Sequence, residues 1–297
     1  MASSSSSSSS SSEEEEDNEV FIVTTWPSLG LTPPPEAPSS PSASVGPSAA
    51  SASALDAFHA SAIQRFGNHY LAAHHQPNVS AATYETGSLL YAALMTSKFP
   101  TSLEIGLATG LSAMYMAQAH VDINGGDDDS IRHICIDPTQ RLPKDETSTV
   151  GLQRGGWDSE GLQHLEQSKL GRVVAMLETE SHRALPALHE AGWTFGVVFI
   201  DGMHLYDYIL LDFFYADLML PVGGILVLDD AWLPSVQDAA KFILTNRSYE
   251  LLMLDAERWS EHGKRYFALR KTANDTRMWN EHNRAFAISD GSENNAQ

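Results

Sequence analysis

From residue 83 onward, short apolar runs alternate with stretches whose apolar residues recur at helical spacing. The runs occupy 102–105, 133–136, 172–177, 195–200, 224–228, 249–254 and 265–269. Between them lie helical patterns near 111–120, 160–168, 182–191, 205–220 and 234–246. Two further helical patterns, 55–75 and 83–98, lead into this series; Tyr84, Leu89, Leu90 and Leu94 set the spacing of the second. Runs that are apolar throughout, and not alternating, belong to strands buried on both faces. Repeated β–α alternation of this kind predicts a parallel sheet covered by helices on both sides. The last two runs are separated only by a polar loop, 256–264, which predicts a terminal hairpin.

The first 54 residues are different material. They contain the Ser3–Ser12 run, a Ser/Pro/Ala stretch, seven acids and no Lys or Arg. Such a composition buries too little apolar surface to offset its ordering entropy, so 1–54 reads as a disordered tail. Residues 55–271 then form one domain, and 272–297 a polar C-terminal tail. The whole chain has 297 residues and a formal charge of −20. That acidity argues against nucleic acid or an anionic membrane as partner. No apolar stretch is long enough to span a bilayer, and the N-terminus has neither the basic start nor the apolar core of a secretory signal. A single cysteine, Cys135, excludes a disulfide scaffold. A cytoplasmic protein acting on a small molecule is the expectation, and a homo-oligomer stays open.

In an open α/β sheet, ligands sit beyond the carboxyl ends of the strands, so those segments are read together. They are 104–110, 137–140, 178–182, 201–204 and 229–232, and they are rich in acids. The first, Glu104-Ile-Gly106-Leu-Ala-Thr-Gly110-Leu-Ser112, follows a strand and opens a helix. Its glycines permit close backbone approach. Their G-x-x-x-G spacing is neither the dinucleotide fingerprint nor a P-loop, and no Lys follows to meet a phosphate. A ligand with a ribose and a positive charge fits better, with Asp137 placed to accept bonds from a ribose diol.

On these residues the chain resembles the class I S-adenosylmethionine-dependent methyltransferases. Within them it is most similar to the macrocin-type and caffeoyl-CoA-type O-methyltransferases. Phe199-Ile-Asp201-Gly-Met-His204 with Asp212, and Leu220-Pro-Val-Gly-Gly224-Ile-Leu-Val-Leu-Asp229-Asp230, carry that second likeness. It covers roughly 83–270. The resemblance implies a Rossmann-like, mostly parallel seven-strand sheet with helices on both faces and a reversed last strand. It further implies that Glu104, Gly106, Ala108, Gly110 and Ser112 line S-adenosylmethionine, that Asp137 and Gln140 serve its ribose, and that Ser181 and His182 lie by its adenine. A helix N-cap is the competing role for Ser181.

Asp201, Asp229 and Asp230 are the implied ligands of a divalent cation, Mg²⁺ by preference for oxygen donors, with Asp201 also at the cofactor. Asp230 departs from the caffeoyl-CoA-type pattern, which has Asn there. The motif D-x-x-H makes His204 the implied general base, since an imidazole titrating near 6.5 can accept a hydroxyl proton at neutral pH. Trp157 and Trp232 are candidate walls of an acceptor pocket, whereas Cys135 reads as a small core residue. Two other functions remain: a nicotinamide-dependent oxidoreductase, against which the loop spacing argues, and a non-catalytic S-adenosylmethionine-binding protein.

Overall fold

A computed structural model describes residues 21–23, 84–125, 130–143, 156–252 and 266–283. The expected 55–75 helix lies outside these residues. The elements run β1 (Phe21–Val23), α1 (Tyr84–Ser97), β2 (Ser102–Ile105), α2 (Leu111–Asn124), β3 (His133–Ile136), α3 (Glu160–Gln167), β4 (Val174–Leu177) and α4 (Ser181–Glu190). Then follow β5 (Val197–Ile200), α5 (Tyr206–Met219), β6 (Ile225–Leu228), α6 (Pro234–Asn246), β7 (Tyr249–Leu251) and β8 (Phe267–Lys271). The strands form one sheet in the order β1-β4-β3-β2-β5-β6-β8-β7. All neighbours pair in parallel except β8, which is antiparallel to both β6 and β7. The Rossmann-like sheet with a reversed last strand and the terminal hairpin are therefore present.

β1 is an addition to the expected seven strands, and it comes from within the span read as a disordered tail. Phe21–Val23 pairs in register with Ala175–Leu177. Among the serines and acids of that span, this one apolar tripeptide satisfies its backbone on the open edge of β4. A second departure lies beyond β8. Residues 272–283 do not trail away as a polar tail. Asn246 and Asn283 exchange hydrogen bonds at 3.1 and 2.8 Å, Thr272 N donates to Ser248 O at 2.7 Å, and Arg247 pairs with Asp275. Polar pairing across the chain, invisible to composition, orders this stretch.

Alternation along each strand sends side chains to two different cores. On one face Leu103, Ile105, Ile134, Ile136, Val198, Ile200, Leu226 and Leu228 pack with buried residues of α4, α5 and α6. On the other face the apolar packing divides in two. Cys135, Val174 and Met176 pack with α2 and α3, while Val197, Phe199, Ile225 and Val227 pack with α1. Between these clusters stands β2, whose residues on that face are Ser102 and Glu104, both fully buried. α2 is buried along Leu111–His120, because it runs beneath α1 as well as over the sheet. The last turn of α5 is tied to the hairpin through Asp217, which accepts from Tyr249 Oη at 2.8 Å and pairs with Lys271 and Arg247 at 3.1 and 3.2 Å. Among the described residues no helix is long and apolar enough to cross a membrane.

α5 also buries a carboxyl. Asp212 is 1% exposed, and its one identified partner is the Ser181 hydroxyl at the start of α4. Burial pushes its pKa up to about 7, and the Ser181 bond offsets this only in part. Because the folded value lies above the unfolded one, the group imposes no cost below about pH 4, and an increasing one as pH rises to about 7. Asp212→Asn is therefore expected to leave the melting temperature nearly unchanged near pH 4.5. It should raise it by several degrees at about pH 8. Melting curves across that range check this, and a variant offset that does not grow with pH would contradict it.

Candidate active site

The chain direction away from the sheet centre reverses between β2 and β5, which is the switch point where α/β sheets open a crevice. Two segments meet there: the glycine loop after β2 and residues 201–204 after β5. Asp201 N donates to Ile105 O at 2.8 Å, and Gly106 N donates to Ile136 O at 2.8 Å. Gly106 has φ +94°, and a Cβ on it would lie 2.2 Å from the Asp201 carbonyl oxygen. Gly110, φ +78°, is confined in the same way by Gly161 at the start of α3, whose carbonyl oxygen would stand 2.8 Å from an added Cβ. Both glycines are thus demanded by the protein's own backbone contacts. Between them Ala108 also takes a left-handed conformation, φ +46°.

Asp137 clamps this loop to the one after β3. One carboxylate oxygen accepts from the backbone of Leu107 and Ala108, both at 3.2 Å, and from Gln140 Nε2 at 2.9 Å. The other accepts from Thr139 N at 2.8 Å and Thr139 Oγ1 at 3.0 Å. Gln140 Nε2 reaches Ala108 O as well, at 2.8 Å. Asp137 therefore holds together the two loops that would bracket a ribose, and its oxygens already have protein donors. Two buried polar atoms of these loops have no protein partner: Thr109 Oγ1 and Gln140 Oε1. Orphaned polar atoms at this position fit a polar ligand bound by these loops. Thr109 was not singled out from sequence, although a hydroxyl between the two glycines is a readable signal.

The remaining expected residues separate. Glu104 and Ser112 lie close together, with Ser112 Oγ donating to the Glu104 carboxylate, but Glu104 is fully enclosed. Ser181 is the first residue of α4, after Glu180 at the N-cap, and its hydroxyl goes to Asp212. His182 is exposed and meets the Tyr208 ring edge-on at 6.5 Å. Trp157 N donates to Thr139 O at 3.2 Å, so the described end of the 141–159 loop lies against the Asp137 loop.

At the ends of β5 and β6, His204 sits between two carboxylates. Its Nε2 is 3.2 Å from Asp230 Oδ2 and 3.7 Å from Asp201 Oδ1. The His204 carbonyl is held by Ser235 Oγ at 2.6 Å, in the first turn of α6. Asp230 adopts φ +52°, a conformation Asp tolerates, and its other oxygen accepts from Trp232 Nε1 at 3.1 Å. Ligand atoms of Asp201, His204 and Asp230 all lie within 4.8 Å of one another, a grouping that could hold a cation. The three aspartates expected as ligands are therefore not the three residues brought together. Asp229 is 1% exposed and falls outside the group, its place taken by His204.

A family model described as a methyltransferase domain matches residues 103–231, from β2 to just past β6. Over these residues the chain is similar to that methyltransferase domain. No curated protein matches the chain significantly. Among solved structures the chain is similar to TomG, an O-methyltransferase from Streptomyces achromogenes involved in tomaymycin synthesis, in complex with SAM. That match has 17% identity and a TM-score of 0.52, and covers 74% of this chain and 96% of that one. It is also similar to cofactor-bound Rv0187 from MTB, with 16% identity, TM-score 0.51 and coverage of 75% and 97%. SAH-bound PaMTH1, a methyltransferase from Podospora anserina, matches with 13% identity, TM-score 0.50 and the same coverage. At these identities the likeness is one of fold.

The Gly106 contact sets a firm expectation for this protein. Gly106→Ala forces a Cβ into the Asp201 backbone at a left-handed φ, and should cost about 2–4 kcal/mol of unfolding free energy. Urea denaturation measures it, and a loss below about 0.5 kcal/mol would contradict the packing described.

Proposed function

We propose that this methyltransferase moves the methyl group of S-adenosylmethionine to a hydroxyl oxygen of a small molecule, with His204 as the base. The observation carrying this reading is the placement of His204 Nε2 between Asp230 and Asp201, across the switch point from the glycine loop. Bound S-adenosylmethionine supplies an electrophilic methyl group on a sulfonium. The glycine loop, Asp137, Thr109 and Gln140 are the residues that would hold it. An acceptor hydroxyl entering beside His204 is lined up for attack, and positioning of this kind removes several kcal/mol of barrier. As its oxygen bonds to the methyl carbon, its proton passes to the imidazole ring of His204. The electrons of the broken S–C bond stay on sulfur, leaving S-adenosylhomocysteine. Asp230 then faces the imidazolium and stabilises its charge, as a carboxylate partner does for a catalytic histidine.

The oxygen donors of Asp201 and Asp230 suit Mg²⁺, and these two residues would hold it. A cation there lowers the pKa of an acceptor hydroxyl. The side chains of Met203, Leu205, Tyr206 and Trp232 are exposed around this cluster, which favours an acceptor with an apolar face.

Asp201→Asn is expected to abolish turnover with the fold intact, and His204→Gln to lower kcat about 10²–10⁴-fold while S-adenosylmethionine still stabilises the protein. Thermal shifts with S-adenosylmethionine, with and without Mg²⁺ and chelator, read cofactor and cation binding together. Product formation across hydroxylated acceptors reads turnover. A fully active Asp201→Asn enzyme, or a wild type that binds cofactor and methylates no hydroxyl, would overturn this reading.

A further inference from the structure

The two β2 residues that face α2, Ser102 and Glu104, are joined by a continuous run of hydrogen bonds through the buried layer between sheet and helix. Ser112, in the first turn of α2, donates to Glu104 Oε1. His133 Nε2 and Cys135 Sγ approach Glu104 Oε2 at 3.2 and 3.5 Å. His133 Nδ1 lies 2.8 Å from Ser102 Oγ, and Ser102 Oγ lies 2.8 Å from His120 Nε2. All of these residues are buried. α2 is thereby fastened to β2 at two points, Ser112 at its start and His120 two turns later.

Ser102 has one hydroxyl proton, and that fixes the direction of the run. Were it donated to His120, that ring would carry its own proton on Nδ1, which is buried and without a partner. His133 would then need protons on both nitrogens. Donated to His133 instead, it leaves His120 donating from Nε2 with a bare Nδ1, and a neutral His133 donating from Nε2 to Glu104. Only this second arrangement leaves no buried N–H unsatisfied, which is the costlier failure. Burial above all pushes the His120 pKa down to about 3, so this ring is neutral at physiological pH. Every link points toward Glu104.

We propose that Glu104 is a positioning residue for methyl transfer, which anchors the glycine loop through Ser112, is itself oriented by the His120–Ser102–His133 chain, and makes no contact with the bound cofactor. This rests on the reading that the 106–110 loop holds S-adenosylmethionine. The loop is suspended between β2 and the first turn of α2, so the Glu104–Ser112 bond braces it from one end to the other. Both Glu104 oxygens face protein donors, and the side chain is fully enclosed in this layer. Loosening the brace shifts the loop as a unit, and so weakens every part of the ligand alike.

Calorimetric binding of two probes to the full chain tests this. S-adenosylhomocysteine has the amino-acid end, and 5′-methylthioadenosine lacks it. Glu104→Gln and Ser112→Ala should weaken both probes by the same factor, about tenfold, and Ser102→Ala, remote from the loop, should do so by a smaller common factor. Selective loss of S-adenosylhomocysteine would show that Glu104 touches the amino-acid end and would overturn the proposal. Unchanged binding of both probes would overturn it too. A wild type that binds neither probe would strike the cofactor reading itself, and the proposal with it. Nitrogen-15 NMR of the wild type stands independent of variant folding: His120 and His133 should both be Nε2–H tautomers, and a His120 protonated on Nδ1 overturns the chain. Metal analysis closes the remaining alternative, because Glu104, His133 and Cys135 lie close enough to hold an ion. One stoichiometric ion bound there would displace the protons on which the chain depends.

Discussion

The pairing of β2 with β5 is the constraint on which the rest of this site depends. Ser102–Ile105 and Val197–Ile200 lie far apart in sequence, yet they run side by side in register. The pairing places the ends of the two strands in direct backbone contact. Gly106 is tight against the Asp201 carbonyl for that reason, and any side chain there would part the strands. Because the connections leave β2 and β5 in opposite directions across the sheet, a crevice opens above their ends. The glycine loop and an acid–imidazole cluster then face one another without either having a sequence neighbour in the other.

The two faces of the sheet solve different problems. The face under α4, α5 and α6 is one continuous apolar core, which gives stiffness without direction. On the other face the polar pair Ser102 and Glu104 interrupts the packing, leaving an apolar cluster on either side. Apolar contacts tolerate small rotations of a helix, whereas hydrogen bonds with defined donors and acceptors do not. α2 is the helix that carries the end of the glycine loop, and it is the one fastened by polar contacts.

Most of the sheet was legible because periodicity reports burial directly. β2, β3, β5 and β6 coincide with apolar runs, and the pattern from 83 to 98 became α1. The last strand, read at 265–269, lies at Phe267–Lys271. The glycine loop, Asp137, Asp201, His204 and Asp230 were readable because a strand end places its next residues at the crevice. What misled was averaging. Phe21–Val23 was hidden by the serines and acids around it, and the ordered 272–283 stretch by its polarity. That Glu104 and Asp229 are enclosed is set by packing against residues remote in the chain, which no local pattern reports.

By itself, the amino-acid sequence determined the fold class, the strand ends where a ligand sits and the residue types available there. Those follow from local periodicity and from the rule that strands of a parallel sheet present their carboxyl ends together. Only the tertiary structure decided what each acid does. Asp137 braces two loops, Asp229 and Asp212 are buried, Glu104 sits inside a closed hydrogen-bonded layer, and Asp201 with Asp230 flank an imidazole. A carboxylate's role is set by its nearest donors and by its distance from water, and both come from residues remote in the chain.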